Sequence, residues 1–376
     1  MVYLDNSATT KPCEKAIKYI NNALTETWGN PSSLHTLGFE AEMVMTDARE
    51  VMAKSISASA DEIIFTGSGT EANNTAIMTA LAKKSGGNRI ITTAVEHPSV
   101  LNTVKRLEKD GFEIIKLDIG KDGKISLSQL EENLNSKTVL VSIMLVNNEI
   151  GTIQPVADAV KLIKKEAPRA LVHCDAVQAY GKIPINVKKL GVDMLSASGH
   201  KIHGPKGIGF LYCKKGTAFP PFITGGGQEK GRRSGTESVP LIAGLKGAVE
   251  DLPDINKQYE KMAVIRDYAV NKFMEFDFIS VNSPQDAIPY ILNISVPGYR
   301  SETLLHFLES KEIYVSSGSA CAKGEQSYVL SALGLDKRYS DSALRLSFSR
   351  DNKKEDIDLL LSALIQATQK LTRSKI

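Results

Sequence analysis

Between about residues 60 and 215, short runs of β-branched and aliphatic residues alternate with helical stretches. That rhythm predicts a mostly parallel sheet with helices packed on it, because each parallel crossover needs a connection of about helix length. The expected strands are 62–66, 89–94, 113–117, 138–146, 170–174, 194–197 and 207–213. Runs such as Val139-Leu140-Val141 and Ala170-Leu171-Val172 show no polar alternation. A strand covered on both faces reads that way, whereas a half-exposed strand would alternate. The fold class is therefore α/β, with a large domain built on a mostly parallel seven-stranded sheet.

The pattern changes further along. Gly225-Gly226-Gly227 precedes a helix expected from Val239 onward, and the polar stretch 251–257 begins a long helix toward Phe276. Strands near 291–296 and 344–348, with helices near 302–310 and 355–371, predict a smaller α+β domain. The chain divides accordingly into an N-terminal segment, 1–14, packing with the small domain, a large domain, 15–253, and a small C-terminal domain, 254–376. In the last helix Ile357, Leu360, Leu361 and Leu364 recur at helical spacing, and Asn352 followed by Glu355 has the form of a capping box.

Length supports two domains, since 376 residues exceed what one hydrophobic core usually organises. Lys and Arg number 46 against 43 Asp and Glu, and a net charge of +3 gives no reason to expect nucleic acid or an anionic membrane as a partner. Small molecules or proteins are expected instead. The opening Met1-Val2-Tyr3-Leu4-Asp5 lacks a basic stretch followed by an apolar one, and the longest apolar run, near 139–146, is too short to span a bilayer. A cytoplasmic location is expected. The cysteines, Cys13, Cys174, Cys213 and Cys321, form no CxxC pair and read as free thiols.

Chemistry concentrates in a few segments. Lys201 lies among small residues, Ser196-Ala197-Ser198-Gly199-His200-Lys201, just before a glycine turn and another strand. A planar ligand can approach the backbone closely there, and buried flanking strands desolvate the amine, as a Schiff-base lysine requires. Asp175, in His173-Cys174-Asp175-Ala176-Val177-Gln178, stands at the carboxyl end of a buried strand, where α/β sheets place ligands. A carboxylate in that position suits the pyridine nitrogen of pyridoxal phosphate, which it keeps protonated, although a helix N-cap would use the same residue type. The turn Thr66-Gly67-Ser68-Gly69-Thr70-Glu71 follows a strand and opens a helix, so its backbone N–H groups suit a phosphate. It also fits a dinucleotide-type glycine pattern, but not at the first strand of a βαβ unit.

Of the thiols, Cys13, Cys174 and Cys213 fit buried small hydrophobes, with Cys13 the candidate for exposure. Cys321 sits in Val315-Ser316-Ser317-Gly318-Ser319-Ala320-Cys321-Ala322-Lys323. Small polar neighbours and a nearby lysine predict an accessible thiol that ionises readily.

Together these residues resemble the class V aminotransferase-like enzymes and, within them, the cysteine desulfurases of the NifS/IscS type. The likeness runs over nearly the whole chain, from Tyr3-Leu4-Asp5-Asn6-Ser7-Ala8-Thr9-Thr10 through Gly29-Asn30-Pro31-Ser32-Ser33, Glu96-His97 and Asn147-Asn148-Glu149-Ile150-Gly151 to Leu344-Arg345-Leu346-Ser347-Phe348. The resemblance implies a pyridoxal-phosphate-dependent transferase of fold type I that works as a homodimer. It implies that Lys201 forms the internal aldimine, Asp175 pairs with the pyridine nitrogen, Gln178 bonds the phenolic oxygen, His97 stacks on the ring and Asn148 lies against the cofactor. Gly69, Thr70, Ser198 and His200 would hold the phosphate, joined by Thr236 from the partner subunit. Asn30, Asn148 and Arg345 would recognise the substrate.

By the same resemblance, L-cysteine would displace Lys201, whose freed amine removes the Cα proton. The Cys321 thiolate then attacks the substrate sulfur, leaving a persulfide and alanine, and His97 is placed to help move the thiol proton. An acceptor protein, an iron–sulfur scaffold or a thiolation enzyme, would take the sulfur. Only Ala322 to Gln326 separate Cys321 from Ser327-Tyr328-Val329-Leu330, a slightly shorter segment than members with a long cysteine loop usually carry. Two alternatives stand beside this reading. One is another fold-type-I enzyme, an aminotransferase, selenocysteine lyase or β-lyase. The other is a sulfur-relay binding protein with little turnover of its own.

Overall fold

In this computed structural model the described residues are 1–217, 220–317 and 327–373, the side chain of Ser85 excepted. Strand β1 (Val2–Tyr3) is followed by helices α1 (Glu14–Thr25) and α2 (Thr36–Ser55), then by β2 (Ile63–Thr66) and α3 (Gly69–Lys83). Next come β3 (Arg89–Thr93), α4 (Pro98–Glu108), β4 (Glu113–Leu117), β5 (Thr138–Met144), β6 (Leu171–Asp175), β7 (Met194–Ser198) and β8 (Gly209–Cys213). The seven strands β2 to β8 form one sheet in the order β2-β8-β7-β6-β5-β3-β4. Only β8 runs against its neighbours, and the other pairs are parallel.

The expected strands are all present, 113–117 with the expected ends and the others with ends shifted. The run 138–146 closes at Met144, beyond which Asn147 turns the chain by accepting the N–H groups of Glu149 and Ile150 on its Oδ1 at 2.9 and 3.0 Å. Every residue of β5, β6, β7 and β8 is buried, which is why these strands lack polar alternation in the sequence. Successive side chains go to opposite faces. Ile64, Ile90 and Leu140 join α3 and α4 through Ala76, Ile77, Val104 and Leu107, while Phe65, Ile91 and Val141 join the core that contains α1, α2 and the helix Val239–Glu250.

The remaining strands are β9 (Ser280–Val281), β10 (Ile291–Ser295), β11 (Ile313–Tyr314) and β12 (Ala343–Ser347). An antiparallel sheet takes the order β12-β10-β9, and β1 pairs in parallel with β11. The first residues of the chain are thus tied to residues beyond 310. Ser347 N–H donates to Leu4 O at 2.7 Å, and Ser7 N–H donates to Ser347 Oγ at 2.8 Å.

Two local expectations need correction. The last helix, Lys354–Lys370, is not capped by the pair Asn352 and Glu355. Asp356 fills the N3 position instead, its Oδ2 accepting from Lys353 N–H at 3.2 Å and from Asn352 Nδ2 at 3.0 Å, because the N-cap falls on Lys353, one residue past Asn352. Cys13 is buried rather than exposed, since it caps α1 with its sulfur accepting Ala16 N–H at 3.4 Å. Burial raises the pKa of its thiol, and does so for Cys174 and Cys213 as well. Cys321 lies outside the described residues.

Candidate active site

The carboxyl ends of β2, β3, β5, β6 and β7 converge on one cavity of about 580 Å³. That volume lies in the range of small-molecule sites, and strand ends are where a parallel sheet exposes free backbone groups. Of the residues singled out in the sequence, Gly69, Thr70, His97, Asn148, Asp175, Gln178, Ser198, His200, Lys201 and Arg345 all line it.

Each is delivered by a definable local structure. Asp175 ends β6, where its Oδ1 accepts Val177 N–H at 2.9 Å and its Oδ2 accepts Asn73 Nδ2 at 2.7 Å. Asn73 comes from α3 and donates as well to Ser99 Oγ at 2.9 Å. A carboxylate so fixed between two donors is oriented for one further partner. His97 caps α4, and its Nδ1 accepts Ser99 N–H at 3.2 Å, which leaves the ring proton on Nε2. Burial holds the His97 pKa below its usual value, the Asp175 charge opposing that shift and Lys201 adding to it, so the ring is neutral at pH 7. Burial likewise lowers His200, to about 4, with Lys201 and two further lysines adding to the effect.

Lys201 follows β7 in a short 3-10 turn, Gly199–Lys201. Its Nζ donates to Ser7 O at 2.5 Å and Ala8 O at 2.8 Å, so the N-terminal segment forms one wall of the site. The phosphate-type turn lies across the cavity, with Ser68 capping α3 through an Oγ that accepts Glu71 N–H at 3.1 Å. A Cβ added at Gly69 would meet Val177 Cγ2 at 2.8 Å and Ser198 Cβ at 3.3 Å, so only glycine lets this turn sit against the end of β7 and the turn that follows β6.

Arg345 rises from β12 and is buried, with Nη2 on Asp5 Oδ1 at 2.9 Å and Nη1 on Asn148 O at 3.1 Å. Its Nε has no hydrogen-bond partner among the described residues, nor do Ser7 Oγ, Asn73 Oδ1 and Asn148 Oδ1. Buried polar atoms left unpaired at a cavity call for a polar ligand. The donor set fits pyridoxal phosphate: an amine for its aldehyde, a carboxylate for the ring nitrogen, an amide for the phenolic oxygen and a helix N-terminus for the phosphate.

Two expected residues stand elsewhere. Asn30 is exposed and its Oδ1 accepts Ser32 N–H at 2.9 Å, and Thr236 is exposed too; neither lines the cavity of this single chain. The structure adds residues that sequence reasoning missed. Ser7, Asn73, Ser99, Glu149, Ser327 and Tyr328 all line the site. Ser327 Oγ donates to Glu149 Oε2 at 2.5 Å, and Tyr328 Oη donates to Glu96 O at 2.7 Å. Before the cysteine segment, Ser316 exchanges backbone bonds with Arg345 at 2.6 and 3.2 Å. The described residues on either side of 318–326 are therefore tied to this cavity. Nothing in the local sequence marks Asn73 or Ser99 beyond their place in motif-bearing segments, since their partners are remote in the chain.

Comparison with known proteins finds relatives over nearly the whole chain. A family model described as aminotransferase class-V matches residues 2–360. A protein of Bacillus subtilis named putative cysteine desulfurase IscS 1 is 41% identical over 381 residues, covering 99% of each chain. Among solved structures, a NifS-like protein superposes with a TM-score of 0.93 at 38% identity, covering 98% of this chain and 100% of that one. A structure titled SspA in complex with cysteine gives a TM-score of 0.83 at 33% identity, over 93% of this chain and 99% of the other.

Proposed function

The chain belongs to the class-V aminotransferase family, and on that premise we propose that it is a pyridoxal-phosphate-dependent cysteine desulfurase, converting L-cysteine to L-alanine and passing the sulfur through Cys321 to an acceptor protein. One observation favours this over an ordinary transaminase. Residues flanking the segment that carries Cys321, Ser316 on Arg345 and Ser327 with Tyr328 in the lining, are fastened at the same cavity as Lys201 and Asp175. A segment whose two flanks are anchored at the cavity suits a thiol that attacks an atom of the substrate.

Lys201 would carry the cofactor covalently, Asp175 would hold its ring nitrogen, Gln178 its phenolic oxygen and His97 its ring face. Gly69, Thr70, Ser198 and His200 would take the phosphate, together with Thr236 of a second copy. When bound, the cofactor supplies an electron sink beside the substrate Cα. The chain's own groups do the rest. Arg345, its Nη2 anchored on Asp5, orients the α-carboxylate with its remaining donors, aided by Asn148 and Asn30. The Lys201 amine takes and returns the Cα proton. Neutral His97 relays the thiol proton. The Cys321 thiolate attacks the substrate sulfur: an S–S bond forms, the C–S bond breaks with its electron pair left on Cβ, and a proton added there completes alanine.

We also read residues 15–253 and 254–376 as two domains, with 1–14 attached to the second, and the pairing of β1 with β11 supports that division. The protein should release alanine from L-cysteine with no keto acid present, and borohydride should fix the cofactor on Lys201. A strict keto-acid requirement would indicate a transaminase, and an adduct on Lys206 would overturn the site.

A further inference from the structure

Lys182 is a buried ionisable group to which the reaction gives no task. It is 6% exposed, and its ammonium donates to Gln178 Oε1 at 3.1 Å while lying 6.0 Å from the centre of the Tyr290 ring. The charges acting on it are those of Lys201 and Arg345, both of its own sign, and burial above all pushes its pKa down to about 7. A buried cation without a counter-charge is costly, so its presence calls for a physical reason.

The polarity of the neighbouring amide supplies one. The two ends of a glutamine amide are nearly identical in shape, so its oxygen and nitrogen exchange places unless a neighbour forbids it. Below about pH 7, where Lys182 is charged, its ammonium has donors alone. Facing Lys182, the amide must turn its oxygen to Nζ and its NH2 away, and Nε2 does donate to Ser7 O at 3.0 Å, on the wall where Lys201 is also held.

We infer that Lys182 is a positioning residue that holds the Gln178 amide with its NH2 edge toward the cofactor cavity, so that the phenolic oxygen of bound pyridoxal phosphate meets a donor. The inference rests on reading Lys201 and Gln178 as cofactor ligands. A donor on that oxygen draws off negative charge and lowers the pH at which the cofactor's visible absorption titrates. Lys182 and Lys201 also border one small cavity of about 30 Å³, and His200 and His203 feel the Lys182 charge, so deleting that charge acts on the site by a second route.

A double-mutant cycle on the holoenzyme separates the two routes. Lys182→Met keeps chain length and removes a buried charge, a change cores usually tolerate. It should raise the midpoint of the visible-absorption titration by about one pH unit, and Lys182→Arg, which still donates, should restore most of the shift. In a Gln178→Leu background Lys182→Met should add only the smaller part of the shift, the part that the lost charge contributes. An equal shift in both backgrounds would mean that Lys182 acts by charge alone and would overturn the inference, as would a Lys182→Met midpoint equal to that of the parent. A parent protein that bound no pyridoxal phosphate would instead refute the reading of the site itself.

Discussion

Glu96 shows how strongly single residues in this site depart from their behaviour in water. It is fully buried next to His97, its Oε1 accepts Thr93 Oγ1 at 3.0 Å and Met144 N–H at 2.7 Å, and its Oε2 has no partner among the described residues. Burial, reinforced by the Asp175 charge, raises its pKa from 4.5 to about 8. The folded state therefore keeps a proton that the unfolded state releases, and this group's contribution to stability falls as pH rises from about 4.5 to about 8. The slope is at most about 1.4 kcal/mol per pH unit. Glu96→Gln mimics the protonated form, so the parent's melting temperature should drop relative to the variant's between pH 5 and 8. A difference that stays constant across that range would show Glu96 to be ionised in the fold. Lys201 and Asp175 were legible in the sequence because strand ends and small neighbours mark them. Glu96 drew notice only as half of a motif, because its environment is made by β5, which follows it by some forty residues.

At the scale of elements, the junction of β2 with α3 decides how close a phosphate can come to the sheet. Gly69 packs on Val177 and Ser198, so Gly69→Ala drives a methyl group into those two side chains and must push the turn outward. The overpacking should cost about 1–3 kcal/mol and weaken pyridoxal phosphate binding about tenfold or more. Gly86→Ala, whose added carbon meets nothing within 4 Å, is the control and should leave affinity unchanged. Equal affinities for Gly69→Ala and the parent would detach this turn from the cofactor. The sheet itself was readable, since buried parallel strands write themselves as apolar runs. Strand ends were less so, because Asn147 and the 3-10 turn at Gly199–Lys201 stop their strands by side-chain and turn hydrogen bonds that apolar content does not report.

At the scale of the whole molecule, one stretch of the chain leaves several large apolar side chains exposed. Trp28, Leu34 and Phe39 are 64%, 105% and 60% exposed, and Leu24 and Met43 extend the same stretch of α1 and α2. Asn30 lies within it, outside the cavity it was expected to serve, and Thr236 is exposed in the same way. Large apolar side chains gathered at a surface mark an interface. We propose that a second copy covers them and brings Thr236 to its neighbour's phosphate. Sedimentation should show a dimer for the parent, while Leu34→Glu with Phe39→Glu should give monomers with sharply reduced turnover; fully active monomers would contradict the arrangement. The desulfurase reading itself is tested most directly by mass spectrometry after a single turnover with L-cysteine, on the parent and on Cys321→Ala, with alanine measured alongside. The parent should gain one sulfur atom, mapped to Cys321, as alanine appears, and Cys321→Ala should bind the cofactor but gain no sulfur and release little alanine. Alanine released by Cys321→Ala at the parent's rate, or by the parent with no sulfur left on Cys321, would contradict it.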